Sequence, residues 1–169
     1  MAQPSIVAKW PAQASRLLGA VRIVAAFVFM QSGTMKLFAF PVGVPPNGGT
    51  VTLISQAGLG GILEVFGGAL LLLGLFTRPV AFLLAGEMAV AYFQFHVPQS
   101  FWPVVNGGSP AVLFCFLWLY LSAAGAGAWS LDALRERSGL GRDLPQREGF
   151  RRATRHSGRS VEVAHPRSS

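Results

Sequence analysis

Charge is scarce in this chain: Asp, Glu, Lys and Arg make up 12% of 169 residues, where a soluble domain carries about a quarter. Hydrophobic residues reach 51% and the mean hydropathy is +0.46, so a water-facing surface of ordinary polarity cannot be built. Cysteine is scarcer still. Cys115 stands alone, which excludes an internal disulfide and a CxxC redox shuttle. Of three histidines, His96 lies near apolar sequence while His156 and His165 fall in a polar tail, so a bis-histidine haem site has too few ligands. No metal-ligand cluster, phosphate-cradling loop or dinucleotide fingerprint occurs.

What is present is apolar sequence in long blocks, and about 20 apolar residues cross a hydrocarbon core of roughly 30 Å. Four blocks qualify, at about 17–39, 59–76, 80–97 and 111–126. They lack the alternation of a membrane β-barrel, and predict an all-α integral membrane four-helix bundle. Arg78-Pro79 leaves only a tight turn between the second and third blocks, which therefore form an antiparallel hairpin.

Basic residues set orientation, because they collect at cytoplasmic ends. Lys9 and Arg16 precede the first span, Arg78 joins the middle two, and nine arginines follow from Arg135 onward. Segments 41–58 and 98–110 have no Lys or Arg. Both termini are thus expected in the cytoplasm, with Lys36 the one residue against the trend. The organisation read from this is a cytoplasmic segment at 1–16, a membrane domain at 17–134 and a basic, largely disordered tail at 135–169. The first span is too long for a signal-peptide core and is expected to be retained. The tail suits the anionic inner leaflet better than nucleic acid, since its only aromatic is Phe150. Its Arg151-Arg152-Ala153-Thr154 run also matches a common basophilic kinase pattern.

Four charges interrupt the spans: Arg22 and Lys36 in the first, Glu64 in the second and Glu87 in the third. Each costs roughly 2.5 to 3.5 kcal/mol at a helix centre, so each requires a partner or a wet cavity. Counting 1.5 Å per residue from the span ends pairs Arg22 with Glu87 in the inner leaflet and Lys36 with Glu64 in the outer. Arg22, Ala26, Phe29, Gly33 and Lys36 share one helical face that can serve both pairs. Two readings follow: structural ion pairs that fix register, or a site for a polar headgroup with a proton route. His96, at the outer end of the third span, favours the second, because its charge changes near neutral pH.

Glycines 60, 67 and 74 recur every seven residues, with Gly68 beside them and Glu64 on the same side, as close helix packing requires. A flat slot for an aromatic ring is the alternative, with Phe93, Phe95, Phe101, Trp102 and Trp118 as candidate walls. Phe101 and Trp102 also fit the outer interfacial belt.

Arg22 with Gly33-Thr34-Met35-Lys36-Leu37, Glu64 through Gly67-Gly68 to Gly74-Leu75-Phe76-Thr77-Arg78, and Glu87-Met88-Ala89 with His96 form an ordered series. Asn106-Gly107-Gly108 and the run from Gly125 to Asp132 complete it. In order and spacing the chain from about Arg16 to Arg135 resembles the DoxX family of four-helix membrane proteins. One departure is Ser109, where many members carry an acid. The resemblance implies a setting among quinone-linked complexes, since relatives include subunits associated with a terminal quinol oxidase and with thiosulfate:quinone oxidoreductase, and others serve oxidative-stress defence. It implies a quinone or quinol headgroup at the polar interior, contacted by Lys36, Glu64 and His96, with Arg22 and Glu87 as the inner counterpart. Three functions are compatible: an accessory subunit of a quinone-linked oxidoreductase in the inner membrane, a structural or assembly subunit of a larger complex, and a small-solute carrier.

Overall fold

The computed structural model describes residues 6–140, with side chains from 12 to 138. The helices are α1 Ile6–Phe38, α2 Gln56–Leu73, α3 Thr77–Ala91, α4 Ser109–Ala124 and α5 Leu131–Leu140. A π-helical turn, Tyr92–His96, continues α3 without a break. No strand occurs among the described residues, only an antiparallel bridge between Val44 and Gly49 in the loop after α1. The chain divides into two compact units, 1–133 and 134–169. Of the second, the described part continues α5.

Hydropathy places α2 and the start of α3 three residues too late and α4 two residues too late, and local chemistry explains it. Ser55 accepts a hydrogen bond from Gly58 N at 3.1 Å and so starts α2 before the apolar run. Gly74 takes a left-handed conformation (φ 65°) and turns its N–H back onto α2, ending the helix while the sequence is still apolar. Phe76, also left-handed, precedes Thr77 as the first residue of α3. Pro110 occupies the first turn of α4, where its missing N–H has no helical partner to lose. At the N-terminus α1 is already helical from Ile6, inside the segment expected to precede the bundle. At the other end α5 carries helix into the segment expected to begin the tail. The basic run 141–169, including Arg151–Thr154, His156 and His165, lies outside the described residues.

Within the first unit, α1 lies along α2 and α3 along α4, while α2 and α3 meet over a shorter interface. Phe29 of α1 reaches α4, its ring 5.3 Å from Trp118 and 5.2 Å from Phe114, which ties the two pairs together. Small residues permit the close approaches. A β-carbon on Gly33 would lie 2.8 Å from Gly61 O, and one on Gly67 would lie 2.8 Å from Leu84.

Burial is inverted relative to a soluble domain. Arg22 and Glu64 are 0% and 2% exposed, while Leu17, Phe27, Phe66, Phe82, Leu113 and Phe116 are each more than half exposed. Such a continuous apolar exterior is stable against lipid, not water. The helices α1, from Ala12, and α2 are long and apolar enough to cross a bilayer, and α4 is a shorter apolar helix.

Candidate functional site

The stripe on α1 faces inward: Arg22, Ala26, Phe29 and Gly33 are all buried. Its two ends meet different surroundings.

At one end, Arg22 lies level with the turn between α2 and α3. Its Nε donates to Ala126 O at 2.9 Å, its Nη2 to Trp129 O at 3.0 Å, and its Nη1 to Leu72 O at 2.7 Å and to Leu71 O. The guanidinium thus fastens the C-terminal carbonyls of α2 to the segment that follows α4, placing positive charge where the helix dipole is negative. Gly74 is needed beside it, because a β-carbon there would lie 3.0 Å from Arg22 Cζ. Asp132 completes the arrangement. Its Oδ1 accepts from Phe76 N at 3.0 Å and its Oδ2 from Thr77 N at 2.9 Å, capping α3 from the start of α5. Asp132 also acts electrostatically on Arg22. Ala128 N donates to Ser15 O at 2.9 Å, fastening the segment that follows α4 onto α1.

Arg22 therefore does not pair with Glu87, as depth-matching expected. Arg22 sits opposite Leu71 and Leu72, whereas Glu87 sits opposite Gly60, about 18 Å farther along α2 at 1.5 Å per residue. The earlier start of α3 accounts for only about 4.5 Å of this, and the rest is the axial placement of α1, whose Arg22 lies level with the C-terminal end of α2.

The opposite half of the bundle holds the other charges. Lys36 Nζ donates to both carboxylate oxygens of Glu64 at 2.7 Å, and Ser32 Oγ donates to Oε1 at 3.1 Å. Ser32 was not singled out from sequence, because a hydroxyl inside an apolar run carries little signal there. Glu87 belongs to this neighbourhood: the charges acting on it are those of Glu64 and Lys36. No hydrogen bond reaches it among the described residues, and its Oε2 is buried without a partner. The cluster holds two carboxyl groups and one ammonium.

Glu87 lines a groove of about 450 Å3 between α2 and α3, with Gly60 and Gly86 as its small residues and Leu59, Phe82 and Val90 on its apolar walls. Gln56, at the head of α2, donates to Gln94 in the π-helical turn and bridges one end of the groove.

His96 is placed otherwise than expected. Its Nδ1 lies 3.0 Å from Asn106 O and its ring stacks on Tyr92, so it belongs to the loop that leads into α4 and not to the Lys36–Glu64 pair. Tyr92 donates to Phe101 O at 2.5 Å. Asn106 donates to Ser100 O at 2.6 Å and accepts from Gly108 N at 2.7 Å. Gly108 is pressed against the Tyr92 ring, where a β-carbon would come within 2.8 Å. The Asn-Gly-Gly run thus builds this loop, and Ser109 opens α4 behind it.

Of the remaining candidates, Gly68 packs against Met30 of α1 and Trp118 is sealed in the core. Phe93, Phe95, Phe101 and Trp102 are exposed. Among the described residues no group of three His, Cys, Asp or Glu side chains is arranged to hold a metal ion.

No solved structure matches this chain. An uncharacterized protein of Haemophilus influenzae is 43% identical over 120 residues, 68% of this chain and 87% of that relative. The DoxX family profile matches residues 17–97, the part that carries Arg22, Lys36, Glu64, Glu87 and the Gly74 turn. With its apolar exterior, its charged interior and this match, the chain is a membrane protein of the DoxX family.

Proposed function

We propose that the protein is a four-span inner-membrane subunit with both termini in the cytoplasm, serving a quinone- or quinol-linked oxidoreductase complex. The observation that carries this reading is the Lys36–Glu64–Glu87 cluster. Two acids and one base are held in apolar surroundings, and the second acid lines a groove open along the helix surface. Intramembrane acids are the usual means of binding or relaying protons, and oxidation or reduction of a quinone moves protons together with electrons. The electrons come from a partner in this reading, because Cys115 is alone and no metal-ligand cluster occurs among the described residues.

Arg22 and Asp132 act as the rigid inner closure of the bundle, and Lys36, Glu64 and Glu87 as the functional end. His96 supports that end from the outer loop. The basic tail meets anionic lipid at the cytoplasmic face.

The test is mild extraction from native membranes followed by identification of what accompanies the protein. Quinone together with a dehydrogenase or sulfur-oxidising enzyme supports the proposal. A stable protein complex free of quinone, with unchanged turnover when the cluster is altered, identifies an assembly subunit instead. Saturable solute flux in liposomes containing only this protein identifies a carrier.

A further inference from the structure

Two tight turns stand at the end of the bundle that carries Lys36, one just before α2 and one before α4. Ser55 N donates to Thr52 O at 3.0 Å, which puts Leu53 and Ile54 at the tip of the first. Val105 N donates to Trp102 O at 3.0 Å, which puts Pro103 and Val104 at the tip of the second. Such tips ordinarily carry Gly, Pro, Asn, Asp or Ser. Here Ile54 is 89% exposed and Val104 86%, the two highest values among the large hydrophobic side chains of the described residues. Leu53, Phe101, Trp102 and Val105, their neighbours in the chain, are exposed as well.

No charge accompanies them. Residues 37–63 and 88–131 contain no Asp, Glu, Lys or Arg, and Lys36 itself is held by Glu64. The second turn is also fixed from beneath, because Asn106 donates to Ser100 O and accepts from Gly108 N, and Tyr92 donates to Phe101 O. A rigid loop thus presents the apolar tip, which lowers the ordering cost of docking.

Exclusion identifies what covers these tips. In water, so many uncharged apolar side chains at one end form a patch of the kind that marks an interaction site. Hydrocarbon does not suit them either, because the amides of Ile54 and Val104 make no hydrogen bond among the described residues, and irregular backbone with open amides does not face lipid tails. The headgroup layer suits Phe101 and Trp102 but not two aliphatic tips. A second copy is ruled out by symmetry. Copies inserted alike in one bilayer carry these tips on the same side, pointing away from the helices, so the tips of one cannot face those of another. A different protein remains.

We propose that the turn tips at Ile54 and Val104 are the docking face for a different protein subunit, one that presents an apolar, uncharged surface on that side of the membrane. The inference rests on the subunit reading above and locates the contact, and the quinone plays no part in it. Trp102, beside the second tip, is the aromatic anchor.

Ile54→Cys and Val104→Cys, each in a full chain that also carries Cys115→Ala, test this through their rates of reaction with an impermeant maleimide. In nanodiscs holding only this protein, both should react as free surface thiols. In native membrane fragments open on both faces, at the native level of expression, the rates should fall about tenfold, as when a partner occupies about nine chains in ten. Overproducing the chain should return them to the nanodisc rate, because the partner is then outnumbered. Val104→Glu, at a position that packs on little of its own chain, should release Ile54→Cys in the same way, since an unpaired charge opposes docking of the whole face. Continued protection of Ile54→Cys in that variant overturns the shared face. Slow reaction in nanodiscs means that lipid covers the tips, and overturns the proposal. Protection that persists or deepens on overproduction assigns the tips to a second copy and overturns it as well. Equal rates in nanodiscs and native membranes also overturn the face. If the protein then still migrates in a large complex on a native gel, the subunit reading stands; if it migrates alone, both fall.

Discussion

Lys36 Nζ stands 2.7 Å from each carboxylate oxygen of Glu64, and the acid it holds is almost sealed from its surroundings while the lysine stem is partly exposed. Removing one partner of such a pair leaves an uncompensated buried charge. Lys36→Met should lower stability by about 3 kcal/mol, and adding Glu64→Leu should restore most of that loss. Denaturant unfolding in a mild detergent, run as a double-mutant cycle, gives the coupling. Additive losses would mean that the two side chains act independently.

Glu64→Gln separates structure from function at the same position. It keeps the shape and removes the charge, so a purely structural pair predicts lower yield or stability with unchanged turnover per assembled complex. A proton-handling site predicts lower quinone-dependent turnover in the complex that does assemble. Both quantities are measured on one preparation, and normal values for both would remove Glu64 from the site.

Arg22→Lys should be costly even though charge is conserved. One ammonium cannot reach the carbonyls of Leu71, Leu72, Ala126 and Trp129 with the geometry of a planar guanidinium. A loss of about 2 kcal/mol is expected from the carbonyls left unpaired. Asp132→Ala should cost about 1 kcal/mol through the lost cap on α3. Thermal unfolding of the single and double variants should show them to be coupled, since both hold the same turn.

Gly74→Ala should destabilise by at least about 1 kcal/mol from the left-handed backbone alone, with a further loss from crowding against Arg22. Gly86→Ala, in an ordinary helical position with open space around it, should be neutral or slightly stabilising. Melting temperatures of the two variants in one detergent make the comparison. Equal losses would contradict the assigned role of Gly74.

Reporters placed after Ser169 and near Asn47 should lie on opposite sides of the membrane if the number of spans is even and the termini are cytoplasmic. Impermeant labelling of intact cells reads this directly. Equal accessibility at the two positions would refute the proposed topology.

The helical class, the membrane setting and the presence of four costly charges were all legible in the sequence. Long apolar blocks admit few other folds, and a charge in such a block stands out without reference to its neighbours. The Lys36–Glu64 partnership was legible too, because residues near the ends of two spans joined by one loop are brought level by the connection itself. The partner of Arg22 was not. Hydropathy locates helix ends only to within a turn, and here the ends are set by Gly74, Ser55 and the Asp132 carboxylate. The last of these comes from the far end of the chain. How far α1 is slid along α2 is likewise absent from hydropathy, and it separates Glu87 from Arg22 and leaves it beside Gly60, in the neighbourhood of Glu64. His96 was assigned by depth, yet its direction around the helix axis is decided by the π-helical turn and by Asn106. Sequence alone determined which residues must find partners, because the cost of charge in hydrocarbon depends on residue type and depth. Tertiary structure decided which partners they found, because that depends on rotation about each helix axis and on caps supplied by distant segments, neither of which a linear pattern contains.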